Sequence, residues 1–172
     1  ALKSSLLFLD PRPSLPHMVR FVDEAFALSE ASSMPAILQL RIRACHVRGR
    51  FACRDNVAPP LSARHPMSEP AAFDYAKLAH PPVVFRHEKV KIEERLPAAR
   101  RRIVERRLNE VFEGARDDLG IVVLGGLYNS LVRALAQFGL ADAFGASTLP
   151  ILVLNVVHPL VPEEIVSFCE GK

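Results

Sequence analysis

The chain has 172 residues, of which 49% are apolar and 24% charged. This is the balance of a soluble globular protein that can bury a core without disulfide or metal support. The net charge of +3 is mild and predicts at most a weak preference for anions. No apolar run approaches the roughly 18 residues of a membrane span, and the first residues are typical of a strand rather than a signal peptide. We therefore expect a cytoplasmic protein that does not cross a membrane.

The cysteines predict free thiols. Cys45, Cys53 and Cys169 are odd in number and none belongs to a C-x-x-C pair, which is typical of a reducing compartment. Cys45, His46 and Cys53 have a spacing that fits no zinc or iron–sulfur pattern. We expect buried or half-exposed thiols and no metal.

The first third of the chain predicts a βαβ unit. Residues 5–9 form an apolar run that ends in a proline turn, and Ser14 is placed to cap a helix with Pro16 in its first turn. The apolar stripe of this helix is predicted at Val19, Val22 and Phe26, with Phe21, Ala25 and Leu28 beside it. Residues 36–42 then alternate as a strand, with Leu38, Leu40 and Ile42 on one face. The two strands should be parallel, with a right-handed crossover.

The middle of the chain, residues 55–114, predicts a connection. Prolines crowd residues 55–82, which is typical of a linker or an irregular packed excursion. Residues 88–96 and 98–112 favour helices, and Pro97 either starts the second or kinks a longer one. The stripe of the second helix is predicted at Val104, Leu108, Val111 and Phe112.

The last third predicts a second α/β unit. Residues 121–124 lack alternation, as expected of a strand covered on both faces, and a tight turn leads into a helix at 128–138 closed by Gly139. A further strand lies within 149–157, and Pro162 opens a last helix that ends near Cys169. The predicted fold class is α/β, with parallel sheets in two βαβ-containing segments, 1–54 and 115–172.

The turn Gly125-Gly126-Leu127-Tyr128-Asn129 is the first candidate site. It follows a strand and precedes a helix, where glycines let a ligand approach the backbone and free N–H groups favour an anion. We expect Gly125 or Gly126 to take a positive φ or to allow an approach that a Cβ would block. The alternative is a plain turn in which Asn129 or Ser130 caps the helix.

A cluster of cations after the second predicted strand is the other candidate site. It could hold a carboxylate or a phosphate, or its members could be solvated or pair with acids of a neighbouring domain. The cluster comprises Arg41, Arg43, Cys45, His46, Arg48 and Arg50. The arginines at 100–107 predict a solvated helix face and no nucleic-acid binding, because no aromatic residues interleave them and acids dilute them.

Six segments resemble the large subunit of indolepyruvate ferredoxin oxidoreductase and its fused-chain relatives, and they follow that family's order through nearly the whole chain. They are FVDEAFALSE (21–30), QLRIRACHV (39–47), IEERLPAA (92–99), LNEVF (108–112), GGLYN (125–129) and PLVPEE (159–164). The resemblance, together with the missing initiating methionine, favours an internal piece of a longer protein.

The resemblance implies that residues 1–54 end a domain that holds the aminopyrimidine ring of thiamine diphosphate. Residues 115–172 would then begin a transketolase-C-terminal-like domain. The family decarboxylates a 2-oxoacid oxidatively with thiamine diphosphate and Mg²⁺, passes electrons through [4Fe–4S] clusters to ferredoxin and transfers the acyl group to coenzyme A. The chain lacks the Gly-Asp-Gly motif and the cysteine run of that machinery, so no cofactor and no catalytic residue are expected in this piece.

The two candidate sites provide the residues to test, and the resemblance implies which partners to expect. Cofactor-binding or domain-interface roles are predicted for Gly125, Gly126, Tyr128, Asn129, Arg43 and His46. The expected partners are the other domains of the same enzyme, ferredoxin and coenzyme A for the full-length protein, and a second copy in a homo-oligomer. The alternative to an enzyme piece is a non-catalytic α/β domain that binds a ligand or contacts a subunit.

Overall fold

The computed structural model describes residues 5–58, 74–75 and 78–172, so the prolines at 59, 60, 66 and 70 lie outside the described residues. The elements are β1 (Leu7–Leu9), α1 (Leu15–Ser32), β2 (Ala36–Leu38), α2 (Ile42–Cys45), α3 (Val83–Val90), a π-helical segment (Lys91–Arg95), α4 (Leu96–Glu105), β3 (Glu110–Phe112), β4 (Ile121–Leu124), a 3₁₀ turn (Gly125–Leu127), α5 (Tyr128–Gln137), β5 (Ile151–Leu154), β6 (Val156–His158) and α6 (Pro162–Cys169). The predicted α/β class is confirmed.

The first sheet has the order β2-β1-β6. β1 and β2 are parallel, as the βαβ pattern predicted, whereas β6 runs antiparallel to β1. Helices α1 and α4 enclose an apolar core with this sheet, which buries Leu7, Leu9, Phe21, Leu28 and Ile103 among others. Burial of such side chains stabilises the fold by about 1.5–3 kcal/mol each.

The apolar stripe predicted for α1 is only partly right. Val19, Val22 and Phe26 are 39%, 43% and 70% exposed, and the buried face instead comprises His17, Met18, Phe21, Glu24, Leu28 and Ser32. Phe21 and Leu28 are buried as predicted, but the rest of the buried face includes polar residues. The face with Glu24 can turn inward because Arg106 donates a hydrogen bond to that buried carboxylate at 2.7 Å.

Two predicted elements are shorter in the structure. β2 ends at Leu38, and residues 42–45 form a helix, so Ile42 is 80% exposed instead of lying on a strand face. The helix predicted over 98–112 ends at Glu105, Arg107 takes a left-handed backbone (φ 46°) and residues 110–112 form a strand. Leu108 is fully buried, but in the turn between the two elements.

The second sheet has the order β3-β5-β4, in which β4 is parallel and β3 antiparallel to β5. Both sheets are therefore mixed rather than wholly parallel. The prediction that residues 121–124 are covered on both faces is wrong, because β4 is an edge strand and Val122 is 44% exposed. The fully covered strand is β5, since it lies in the centre.

The chain passes from one sheet to the other at a single residue. β5 belongs to the second sheet and β6 to the first, and Asn155 between them is fully buried. Strands of the last third and of the first third thus share a sheet. Among the described residues, no helix combines the length and apolarity that a membrane crossing requires.

Candidate functional site

The loop at residues 10–13 lies where the two sheets meet. Asp10 follows β1 and is 1% exposed. Its N–H donates to the carbonyl of Asn155 at 2.8 Å, and its carboxylate accepts hydrogen bonds from Arg41 Nη2 at 2.6 Å and Nε at 3.0 Å. Arg41 therefore neutralises a buried carboxylate and is not a free cation.

Arg12 of the same loop reaches across to β3. Its guanidinium donates two hydrogen bonds to Glu110, both of 2.9 Å, and lies over the rings of Phe112 and Tyr128 at 5.3 and 5.1 Å from their centroids. The bond to Glu110 raises the pKa of Arg12. Burial alone would raise the pKa of Glu110, but hydrogen bonds from Arg12 and Asn155 outweigh it and lower that pKa below its ordinary value. This two-bond ion pair is the strong form of such contacts.

Asn155 joins the same contacts from the strand side. Its Oδ1 accepts a bond of 3.0 Å from the Arg12 N–H, while Nδ2 donates to the carbonyl of Leu108 at 2.9 Å and to Glu110 at 3.0 Å. The free-energy cost of removing a buried amide from water is offset only when its donors and acceptors are hydrogen-bonded in this way. We call Asp10, Arg12, Arg41, Glu110 and Asn155 the polar joint.

The glycines of the predicted turn pack directly against the polar joint. Neither takes a positive φ, which corrects that part of the expectation, and both lie in the 3₁₀ turn. The close approach is present. A Cβ on Gly125 would clash with the Asp10 carbonyl and the Asn155 amide, and a Cβ on Gly126 with the Asp10 carboxylate and the Arg41 guanidinium. The lack of side chains is thus required by contacts within the chain.

Tyr128 and Asn129 also face inward. Tyr128 is 8% exposed, packs on Phe112 and has its pKa raised by burial. Asn129 Nδ2 donates to the carbonyl of Pro13 at 3.0 Å. Helix α5 has no side-chain cap, so the cap predicted at Asn129 or Ser130 is wrong. Asn129 instead fixes α5 to the loop at residues 10–13.

The two candidate sites lie together at the rim of the polar joint. A groove of about 630 Å³ is lined by residues 39–43 on one side and by Gly126, Leu127 and Ser130 on the other. Arg43 Nη1 is 3.4 Å from Ser130 Oγ, and His46 ends α2 with an exposed side chain. The carboxyl end of β2 and the start of α5 therefore meet, whereas the sequence predicted two separate candidate sites.

The other cations have varied partners. Arg106 pairs with Glu24, and Arg100 Nε donates to the carbonyl of Leu160 at 3.0 Å.

All three cysteines are free thiols, and they are more exposed than expected. Within the described ranges, no group of three or more His, Cys, Asp and Glu side chains is arranged to hold a metal ion. These residues therefore do not fit the metal centres that the resemblance implies for the full-length enzyme.

Sequence reasoning missed most of the polar joint. The sequence pattern places Asp10 and Arg12 in a turn and Glu110 in a helix, and gives none of them a partner. One signal was present, because Asn155 interrupts the apolar stretch of residues 151–157. A polar residue inside a buried strand needs partners, and charged residues in a nearby loop are the natural ones.

No protein-family model matches the chain. Two curated relatives do. The chain is 30% identical over 161 residues to indolepyruvate oxidoreductase subunit IorA of Methanothermobacter thermautotrophicus and 27% identical to the subunit of the same name from Methanothermobacter marburgensis. In both cases the match covers 92% of this chain and 24% of the relative, so the chain spans about a quarter of their length. The resemblance is confirmed: the chain is similar to about one quarter of subunit IorA of indolepyruvate oxidoreductase.

Proposed function

We propose that the chain is part of a thiamine-diphosphate-dependent 2-oxoacid:ferredoxin oxidoreductase of the indolepyruvate type. The observation that carries the proposal is the match over 92% of the chain to two IorA subunits. In the full-length protein, thiamine diphosphate with Mg²⁺ would decarboxylate an aryl or other 2-oxoacid, and [4Fe–4S] clusters would pass the electrons to ferredoxin. Coenzyme A would accept the acyl group, in the cytoplasm.

Within that enzyme we assign this chain a positioning role. Residues 1–54 would end the pyrimidine-binding-type domain, 55–114 would connect, and 115–172 would begin the transketolase-C-terminal-like domain. The polar joint supports this role because it ties the loop after β1 to β3, to the β5–β6 crossing and to the start of α5. Gly125, Gly126, Tyr128 and Asn129 would serve this interface, while Arg43 and His46 face outward toward other domains.

The proposal is tested with the full-length protein and its partner subunits, purified without oxygen. We expect indolepyruvate and related 2-oxoacids to reduce ferredoxin or a viologen dye only when thiamine diphosphate and coenzyme A are present. Pyruvate serves as the comparison substrate. The assignment would be refuted if the cofactor-loaded protein reduced neither ferredoxin nor the dye with any 2-oxoacid.

The chain by itself should be inactive. It contains no Gly-Asp-Gly motif, and Mg²⁺ sites of this kind need carboxylate ligands beside the diphosphate. We expect calorimetric titration of this chain with thiamine diphosphate and Mg²⁺ to give no binding heat. A micromolar dissociation constant would contradict the inference and place a diphosphate site inside these 172 residues.

A further inference from the structure

One face of the second sheet is only half covered. Val111 of β3 and Val122 of β4 are both paired with Leu152 of β5, so the three side chains form a row across the same face. The outer two are 52% and 44% exposed. The opposite face, in contrast, packs against α5 through Tyr128 and Leu135.

Helix α6 covers the other end of the half-covered face. Phe168 and Ile165 pack on Leu124, Leu152 and Leu154, but the helix has only eight residues. Between α6 and the end of α4 remains a groove of about 610 Å³, with Val111 and Leu152 along it and Val104, 49% exposed, on its wall. Parallel strands such as β4 and β5 are usually covered by helices on both faces, so this groove lies where a further helix can pack.

The border of the groove is acidic. Its lining includes three carboxylates, from Glu113, Glu163 and Glu164. The cationic side chain that the described residues contribute to this lining is Lys172. Glu164 accepts a hydrogen bond from Asn109, whereas Glu113 and Glu163 have no ion-pair partner among the described residues. An occupant that fits this groove therefore combines an apolar face with Lys or Arg along its edge.

We propose that this groove docks an amphipathic, basic-edged helix supplied by another part of the same subunit. The relatives are about four times as long as the region matched here, so three quarters of such a subunit is available to supply the helix. This step rests on the proposed function, because it takes the chain to be part of a longer polypeptide. Docking a helix in this groove would cover Val111 of the sheet and Val104 of α4, which are 52% and 49% exposed, and remove them from water.

The test places a photo-reactive phenylalanine analogue at Val111 in the full-length subunit. Illumination, gel electrophoresis and peptide mapping then identify what lies on the groove. We expect a cross-linked product of monomer mass, joined to a peptide outside these 172 residues that has Lys or Arg beside its apolar positions. The matched control is Phe138, which is 78% exposed at the end of α5 on the opposite side of the sheet, and its product should differ.

Three outcomes would overturn the proposal. A product of twice the monomer mass would show that a second copy covers the groove, and a product with the partner subunit would show a subunit contact. Absence of any product at Val111, repeated with the analogue at Val104 in case the first variant fails to fold, would show an open face. Because cross-linking does not require turnover, an active enzyme without the product refutes only the docking, and an inactive enzyme with it refutes only the proposed reaction.

Discussion

Replacement of Asn155 by Ala should cost the chain a large part of its stability. The substitution removes the acceptor for the Arg12 N–H and the donor for the Leu108 carbonyl. A buried polar group without a partner costs about 1–3 kcal/mol. The hydrogen bond to the Leu108 carbonyl is buried, so its loss should cost the whole of this amount. The hydrogen bond from the Arg12 N–H is only partly buried, so its loss should cost less. We expect a loss of about 2–4 kcal/mol in the free energy of unfolding, against the 5–15 kcal/mol of an ordinary domain.

Asn155→Asp separates this reasoning from a simple loss of volume. Asp has the same shape, but it places an acceptor where Nδ2 now donates to Leu108 and Glu110. Burial and the neighbouring carboxylate should raise the pKa of the new group. The introduced carboxyl is uncharged in both states below its unfolded pKa, so it does not destabilise the variant there. The free energy of unfolding falls as the pH rises toward the higher folded pKa, where the buried carboxylate becomes charged. The stability lost relative to the parent should therefore be smaller at pH 5 than at pH 7.

Urea unfolding followed by circular dichroism measures both variants, at pH 7 and pH 5. The control is Asn56→Ala, because Asn56 is exposed in a stretch without regular structure. If Asn155→Ala lost no more stability than Asn56→Ala, the polar joint would not hold the two sheets together. A deficit of Asn155→Asp that stayed constant with pH would show that the introduced carboxylate is solvated.

Three further predictions concern the surroundings of the polar joint. Gly125→Ala should cost about 1–3 kcal/mol by overpacking against the Asp10 and Arg12 backbone, and Gly126→Ala a similar amount by pushing the Arg41 guanidinium away from the buried Asp10 carboxylate; unchanged stability of either variant in urea unfolding would contradict this. Asn129→Ala should cost about 1 kcal/mol, because it removes the hydrogen bond between α5 and the Pro13 carbonyl. Since this bond does not cap the helix, NMR chemical shifts should show that the helicity of α5 is unchanged. Burial lowers the pKa of His17 in the folded protein. The free energy of unfolding should therefore fall as the pH drops below the pKa of about 6.5 that the imidazole has in the unfolded chain, and His17→Phe should weaken this dependence on pH.

The sequence predicted the elements that depend on local pattern. The turn after β1, the closing Gly139 and the proline start of α6 all depend on residues with strong backbone preferences. The α/β class followed from the order of these elements. Local preferences act within a few residues, which is why they are legible without knowledge of the fold.

Errors arose where a non-local contact decides. The buried face of α1 is more polar than the predicted stripe, and the ion pair between Glu24 and Arg106, 82 positions apart, allows it to turn inward. Residues 110–112 continued a helical stripe, but pairing with β5 makes them a strand. Spacing alone cannot distinguish such alternatives, since the deciding partner lies in a distant part of the chain.

The Gly125-Gly126 turn shows why motif position and motif role must be argued separately. Its place at the end of a parallel strand was predicted correctly, and the ligand interpretation followed from that place. The space beside both glycines is nevertheless occupied by Asp10, Asn155 and Arg41 of the same chain. A glycine that admits a ligand and a glycine that admits a neighbouring loop leave the same mark in a sequence. In this chain other residues already fill that space, so a ligand of the groove would lie on its open side, near Arg43 and Ser130.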